Sequence, residues 1–219
     1  MISSLDGSAH GPNGLSGSLG TSRDAAVLAL LRAQADVVVV GGGTVRAEGY
    51  GPVEVDARFA HLREAVGKPS TAPIAVVSRD LDLDPDAALF TTAPTHAGTI
   101  VVTGEDAPAG RRANLERVAD VIVAGPNGVD PHRLVDALAE RGHRQILTEG
   151  GPHLLRDLIA ADVVDELCLT IALRTIGGDA GRILSGAPTD PHGWQPHLLV
   201  LDQDILLGRW FRTDGARRP

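Results

Sequence analysis

Two glycine-rich segments, each shortly after an apolar run, carry the clearest chemical signal in the sequence. Gly41, Gly42, Gly43 and Thr44 follow the valines at 37–40, and Gly150, Gly151, Pro152, His153 and Leu154 follow a run that begins at Ile146. Glycine lets a backbone approach a ligand closely, and a helix that begins after such a turn presents unpaired N–H groups to a phosphate. The two turns together predict a binding site that contacts both ends of a dinucleotide pyrophosphate. A tight strand-to-helix connection without a ligand is the alternative for each turn.

A third strand end carries a hydroxyl beside a guanidinium. Ser78 and Arg79 follow the apolar run Ile74–Val77. This combination can bind an additional phosphate, as in proteins that recognise the 2′-phosphate of NADP. A solvated arginine in an ordinary turn is the alternative.

The elements that must position these turns are visible as short apolar runs that alternate with helical patterns. The runs lie at 37–40, 74–77, 100–102, 121–124 and 146–147, and helices are predicted from Ser22 to Leu31, from Pro131 to Arg141 and from Pro152 onward. Such runs are typical of parallel strands buried on both faces. Further on, the sequence predicts a strand at Val163–Leu173, a loop at Thr175–Pro196, and a hairpin of His197–Leu201 with Ile205–Phe211. We therefore expect one α/β domain over residues 1–219, with a mostly parallel sheet covered by helices on both faces and an antiparallel C-terminal hairpin.

The composition narrows the class of function. The 219 residues carry a formal net charge of −8, which argues against nucleic-acid binding. The single cysteine, Cys168, excludes a disulfide framework and a Cys-based zinc site, and its apolar surroundings predict an inert thiol. The eight histidines lack metal-ligand spacing, so we expect no metal. With no apolar stretch of about 20 residues and no visible signal peptide, we expect a cytoplasmic protein that acts on a small molecule and not at a membrane.

Five segments together resemble the reductase domain of the riboflavin-biosynthesis deaminase-reductases, a branch of the dihydrofolate-reductase-like superfamily. These segments are Ser3–Gly7, Leu31–Asp36, Gly41–Glu48, Glu149–Leu155 and Val164–Leu167. The resemblance implies a homodimer that uses NADPH to reduce a ribosylamino-pyrimidine phosphate, such as 5-amino-6-(5-phosphoribosylamino)uracil, to its ribitylamino form. The zinc signature of the deaminase domain, His-x-Glu with Pro-Cys-x-x-Cys, is missing, so deamination is not expected.

The resemblance also implies roles for individual residues. Thr44, Glu48, Ser78 and the turn from Gly151 through Pro152 and His153 to Leu154 would lie along the cofactor, and Gly41, Gly42, Gly43, Arg79 and Gly150 complete that predicted site. The substrate would contact Ser4, Ser18 and Glu149, with Arg58 binding its phosphate.

The reaction needs a proton for the departing ring oxygen, and a carboxyl group with a raised pKa is one source. Asp6, Glu48 and Glu149 stand at strand or turn ends. We assign Glu149 to the substrate hydroxyl groups and Asp6 to proton delivery or to orienting the pocket. Asp6 before Gly7 is also typical of an ordinary turn, and water is another proton source.

Two other functions remain open at this point. The stretch Glu48–Pro52 departs from the usual pattern of the family, which keeps a dihydropterin-type reductase of the same fold in play. A nucleotide-binding regulator without catalysis is the second alternative.

Overall fold

The computed structural model describes residues 1–213, so residues 214–219 of the predicted domain lie outside the described part. The chain forms two compact units, one of Val27–Gly151 and one of Met1–Ala26 with the chain from Pro152 onward. The boundary lies inside helix α1 (Ser22–Gln34). The single-domain organisation stays a prediction.

The unit Val27–Gly151 is built on a five-stranded parallel sheet. Its strands are β2 (Val37–Gly41), β3 (Ile74–Val77), β4 (Ile100–Thr103), β5 (Asp120–Val123) and β6 (Ile146–Gly150), in the order β5-β4-β3-β2-β6. The four valines of β2 are at most 1% exposed, as expected of a strand covered on both faces. Strand β6 continues three residues beyond its predicted end at Leu147.

Helices connect these strands. They are α2 (Gly42–Glu48), α3 (Ala60–Ala65), α4 (Ala88–Thr91), α5 (Ala109–Leu115) and α6 (Pro131–Glu140). In α6, the Asp130 side chain accepts hydrogen bonds from the backbone N–H groups of His132 and Arg133, at 2.9 and 3.1 Å. With Pro131 as the first helical residue, this is the helix start that the sequence predicts.

The second unit contains β1 (Ile2–Ser4), α7 (Pro152–Ala160), β7 (Glu166–Ala172), β8 (Trp194–Asp202) and β9 (Ile205–Arg212). Its sheet has the order β1-β7-β9-β8, with β1 parallel to β7 and the other pairs antiparallel. The hairpin of β8 and β9 turns at Gln203, whose φ is +54°. The fold class is confirmed: a parallel sheet is flanked by helices, and the C-terminal hairpin is antiparallel. The parallel strands β2–β6 and the hairpin belong to two separate hydrogen-bonded sheets.

Cys168 is a packed thiol with a carboxylate partner. The thiol is half-buried and donates to Glu166 Oε1 at 3.1 Å. Burial, followed by this carboxylate, raises the pKa of Cys168 to about 12, so the thiol is protonated at neutral pH. Within residues 1–213, no three His, Cys, Asp or Glu side chains form a group suited to a metal ion. No helix of that same part of the chain has both the length and the apolar character to cross a membrane.

Candidate functional site

The two glycine turns lie side by side at the carboxyl edge of the parallel sheet. Strands β2 and β6 are neighbours, with Val40 paired to Gly150. The backbone N–H of Gly151 donates to the Thr44 hydroxyl at 3.1 Å, which joins the two turns directly. Both turns therefore lie at one edge of the sheet.

Neighbouring groups come very close to two glycines of these turns, Gly42 and Gly151. A Cβ atom on Gly42 would lie 3.2 Å from both Cβ and Oγ of Ser78. A Cβ atom on Gly151 would collide with the Thr44 hydroxyl. Gly43, in contrast, is exposed, and a Cβ atom there would meet nothing within 4 Å. The turns thus combine tight backbone packing with open space beside Gly43.

Ser78 and Arg79 stand at the adjoining strand end, since β3 pairs with β2. Ser78 is buried, and its backbone N–H donates to Val102 O at 2.9 Å. The Arg79 side chain is 68% exposed, with Nε 3.9 Å from Oδ2 of Asp106. The ends of three neighbouring strands, β6, β2 and β3, therefore carry the predicted phosphate-binding groups. Glu48 is the last residue of α2 and is half-buried.

Glu149 occupies an irregularity in the sheet. The β2–β6 register pairs Val39 with Thr148 and Val40 with Gly150, so Glu149 is an extra residue on β6. A bulge of this kind re-aims the side chain of the extra residue. The carboxylate of Glu149 is consequently held inside its own unit, with only 4% of the side chain exposed.

Two residues that the sequence did not assign to the site hold this carboxylate. Arg32 on α1 donates from Nε to Oε1 at 2.6 Å and from Nη2 to Oε2 at 2.7 Å. The Tyr50 hydroxyl donates to the same Oε2 at 2.7 Å. Arg32 belongs to a segment that carried the family resemblance, but no local pattern indicated its partner 117 positions away.

The electrostatics of this cluster follow from burial and from the shared carboxylate. Burial, together with the Glu149 charge, raises the pKa of Tyr50 well above its usual range, so the phenol stays neutral and acts as a donor. The hydrogen bonds to Glu149 raise the pKa of Arg32. Both oxygens of Glu149 are thus engaged, and a substrate hydroxyl would share Oε2 with Tyr50 or replace it.

Asp6 lies in the other unit, in the loop that follows β1. It accepts hydrogen bonds from the Ser4 hydroxyl and from the backbone N–H groups of Ile176 and Gly177, at 3.0 and 2.7 Å. The Ser4 hydroxyl, followed by Gly177 and Ile176, lowers the pKa of Asp6 to about 2. An ionised carboxylate is no proton donor at neutral pH, so these contacts favour the orienting role of Asp6.

The remaining predicted substrate residues already have partners. Ser4 is 1% exposed, and its Oγ accepts from Ser8 N–H at 2.9 Å. The Ser18 hydroxyl donates to Leu15 O at 2.9 Å, at the end of the short 3-10 helix Ser16–Ser18, where Ser18 is exposed. The exposed Arg58 forms an ion pair with Asp56, in which Nη2 donates to Oδ2 at 2.6 Å. A substrate would therefore compete with these partners or use the hydrogen-bonding capacity that they leave on each side chain.

Comparison with known proteins places this architecture in a family. The family model described as the RibD C-terminal domain matches residues 1–207. The chain belongs to this family.

Several RibD C-terminal domain relatives match most of the chain. A protein of Methanothermobacter thermautotrophicus, named 2,5-diamino-6-ribosylamino-4(3H)-pyrimidinone 5′-phosphate reductase, is 31% identical over 161 residues, covering 73% of this chain and 70% of that protein. A protein of the same name from Archaeoglobus fulgidus is 28% identical, with 85% and 84% covered. A pyrimidine reductase-like protein from Corynebacterium diphtheriae superposes with a TM-score of 0.88 at 29% identity, covering 97% of this chain and 89% of that structure.

Within this RibD C-terminal domain, the second glycine turn leads straight into α7. Pro152, His153 and Leu154 form the first turn of that helix, and His153 is exposed. The Pro152 carbonyl accepts from Ser185 N–H at 3.2 Å. The assignment of these three residues to a cofactor stays a prediction.

Proposed function

We propose that this chain is an NADPH-dependent oxidoreductase that reduces a ribosylamino-pyrimidine 5′-phosphate in riboflavin biosynthesis. The observation that carries the proposal is the contact between the glycine turns, from Gly151 N–H to the Thr44 hydroxyl, in a RibD C-terminal domain. The names of the archaeal relatives support the reaction and the type of substrate.

Two pyrimidines are the first substrates to compare, and they differ by an amino or an oxo group on the ring. The resemblance in the sequence suggests 5-amino-6-(5-phosphoribosylamino)uracil. The names of the relatives favour 2,5-diamino-6-ribosylamino-4(3H)-pyrimidinone 5′-phosphate, which we take as the preferred substrate.

The strand ends fit a dinucleotide. When bound, NADPH supplies the hydride that reduces the opened ribosylamine. We assign the backbone of Gly41–Thr44 and of Gly150–Gly151 to its pyrophosphate, since open space lies beside Gly43. Ser78 and Arg79 would bind the 2′-phosphate, and Glu48 and the first turn of α7 would line the rest of the cofactor.

The chain must also bind the substrate and provide for a proton. In this proposal Asp6 orients the loop at Ile176 and Gly177 and does not donate the proton, because its pKa is lowered to about 2. Glu149 binds a ribose hydroxyl through the oxygen that it shares with Tyr50. Ser4, Ser18 and Arg58 remain assigned to the substrate, and water delivers the proton to the ring oxygen.

The test is turnover by the purified chain with NADPH and each candidate substrate. We expect the absorbance of NADPH to fall fastest with the diaminopyrimidinone and more slowly with the uracil form. Faster turnover of a dihydropterin would favour the pterin-type alternative, and tight NADPH binding without any turnover would favour the regulator.

The cofactor site is tested by Gly42→Val and Gly151→Val. The valine at position 42 would crowd Ser78 and the valine at position 151 would collide with Thr44, so we expect NADPH affinity to fall at least about tenfold, which equals about 1.4 kcal/mol. Gly98→Val is the matched control, because Gly98 is exposed and a Cβ atom there meets nothing within 4 Å. Unchanged NADPH affinity in both site variants would refute the assigned site.

We also propose that the chain acts as a homodimer in the cytoplasm. Strand β8 is an edge strand of its sheet, and its consecutive residues Leu198, Leu199, Val200 and Leu201 are 41–69% exposed. An exposed apolar edge strand invites pairing with another strand, and a second copy of β8 offers the same edge around a two-fold axis.

A further inference from the structure

Arg79 and Asp106 form a charge pair just beyond the ends of two neighbouring parallel strands. Arg79 follows β3 and Asp106 follows β4, and these strands pair through Val77 and Val102. The Arg79 Nε lies 3.9 Å from Asp106 Oδ2. A guanidinium and a carboxylate therefore share one small area at the carboxyl edge of the sheet.

Asp106 is held in place by the backbone beside it. Its Oδ1 accepts a hydrogen bond from Gly128 N–H at 2.7 Å. A Cβ atom on Gly104 would collide with the backbone of Gly128, so the turns after β4 and β5 cross closely at this point. The Asp106 side chain is thus tied to the Gly128 backbone through one oxygen while 38% of it stays exposed to solvent.

Arg79 is held less firmly. Its side chain is 68% exposed, and a Cβ atom on Gly128 would lie 3.6 Å from both Nε and Nη2, so the guanidinium lies over the Gly128 backbone. A long side chain in this position can turn toward a bound phosphate, since its present ion pair is long and solvent-screened.

The two charges have opposite preferences for nicotinamide nucleotides. A guanidinium binds the 2′-phosphate of the NADP form. A carboxylate accepts a hydrogen bond from the free 2′-hydroxyl of the NAD form and repels the phosphate. We propose that Asp106 is a specificity-determining residue that limits the preference of this chain for NADPH over NADH. This inference rests on the proposed function, because it requires the adenosine ribose to lie beside Arg79.

The experiment measures dissociation constants for NADP⁺ and NAD⁺ by titration calorimetry, in wild type and in Asp106→Asn. The Asn oxygen keeps the acceptor for Gly128 N–H and removes the charge. We expect the ratio of the NAD⁺ constant to the NADP⁺ constant to rise about tenfold, or about 1.4 kcal/mol, chiefly through tighter NADP⁺ binding. Arg79→Gln should shift the same ratio in the opposite direction.

Asp120→Asn is the matched control, since it removes the same charge at the first residue of β5. That residue lies at the amino ends of the strands, whereas Asp106 lies beyond their carboxyl ends. The ratio for Asp120→Asn should equal that of wild type. Asp106→Ser, which retains a hydroxyl acceptor, repeats the test if the Asn variant does not fold.

Two outcomes distinguish the role of Asp106 from the proposed function. Normal NADP⁺ binding with the same ratio in wild type and both Asp106 variants overturns the role of Asp106 and leaves the proposed function standing. No binding of either nucleotide to the wild type overturns the proposed function and this inference together.

Discussion

The ion pairs Arg32–Glu149 and Arg58–Asp56 have the same chemistry in different surroundings. The Arg32 and Glu149 side chains are 25% and 4% exposed, against 63% and 29% for Arg58 and Asp56. Removing one partner of a buried pair leaves an uncompensated charge, whereas an exposed pair contributes little. We expect Arg32→Met to lower the free energy of unfolding by about 3 kcal/mol and Arg58→Met by less than about 1 kcal/mol.

Urea denaturation of both variants checks this difference in stability. Steady-state kinetics of the Arg58→Met variant test separately whether Arg58 binds the substrate. If Arg58 binds the substrate phosphate, Arg58→Met raises KM for the pyrimidine and leaves stability almost unchanged. Equal destabilisation of the two variants would show that the Glu149 cluster is not held as the distances indicate.

The lowered pKa of Asp6 predicts how the stability of the protein depends on pH. The pKa of Asp6 is lowered from 3.8 to about 2, so the folded state favours the ionised form. The resulting stability is present above the unfolded pKa and is lost as the pH falls through the folded pKa. The difference in melting temperature between wild type and Asp6→Asn should therefore be constant near neutrality and shrink as the pH falls from 3.8 toward 2.

A carboxyl titration followed by NMR tests the cause. In Ser4→Ala, which removes the largest contribution, the pKa of Asp6 should move back toward its ordinary value. An Asp6 pKa that is the same in both proteins would contradict the assigned hydrogen bond.

Among the elements, the parallel strands were predictable and several helices were not. Runs such as Val37–Val40 indicate buried strands by residue type alone, and Asp130 with Pro131 indicates the start of α6. Helices α3, α4 and α5 span only four to seven residues, too few for a periodic pattern. The bulge at Glu149 depends on the β2–β6 register, and the contacts of Tyr50 depend on the bulge, so neither is visible in the local sequence.

The short helix α3 nevertheless supplies a residue that completes α1. Arg63 is 2% exposed and donates from Nη1 to Ala33 O and Ala35 O, at 3.3 and 2.6 Å, and from Nε to Pro69 O at 2.6 Å. The bonds to Ala33 and Ala35 satisfy carbonyls at and just beyond the C-terminal end of α1, where a helix leaves its carbonyls open.

Replacing this residue should therefore be costly. Arg63→Met removes the donor from the buried carbonyl oxygens of Ala33 and Ala35, and we expect a loss of about 2–3 kcal/mol in the free energy of unfolding. Arg133→Met on the exposed face of α6 is the control, with an expected change within about 0.5 kcal/mol. Chemical denaturation measures both, and a similar loss in the two variants would contradict the capping role.

For the whole molecule, the proposed dimer depends on the exposed edge strand β8. Its Leu201 is 69% exposed and Val66, an apolar residue on the other unit, is 68% exposed, so exposure alone does not distinguish them. What distinguishes Leu201 is its place in a run of apolar residues on an edge strand, where a lysine opposes strand pairing. We expect light scattering after gel filtration to give a dimer for wild type and Val66→Lys, and a monomer for Leu201→Lys. A monomeric wild type, or a Leu201→Lys variant that remains dimeric, would place the subunit contact elsewhere or remove it altogether.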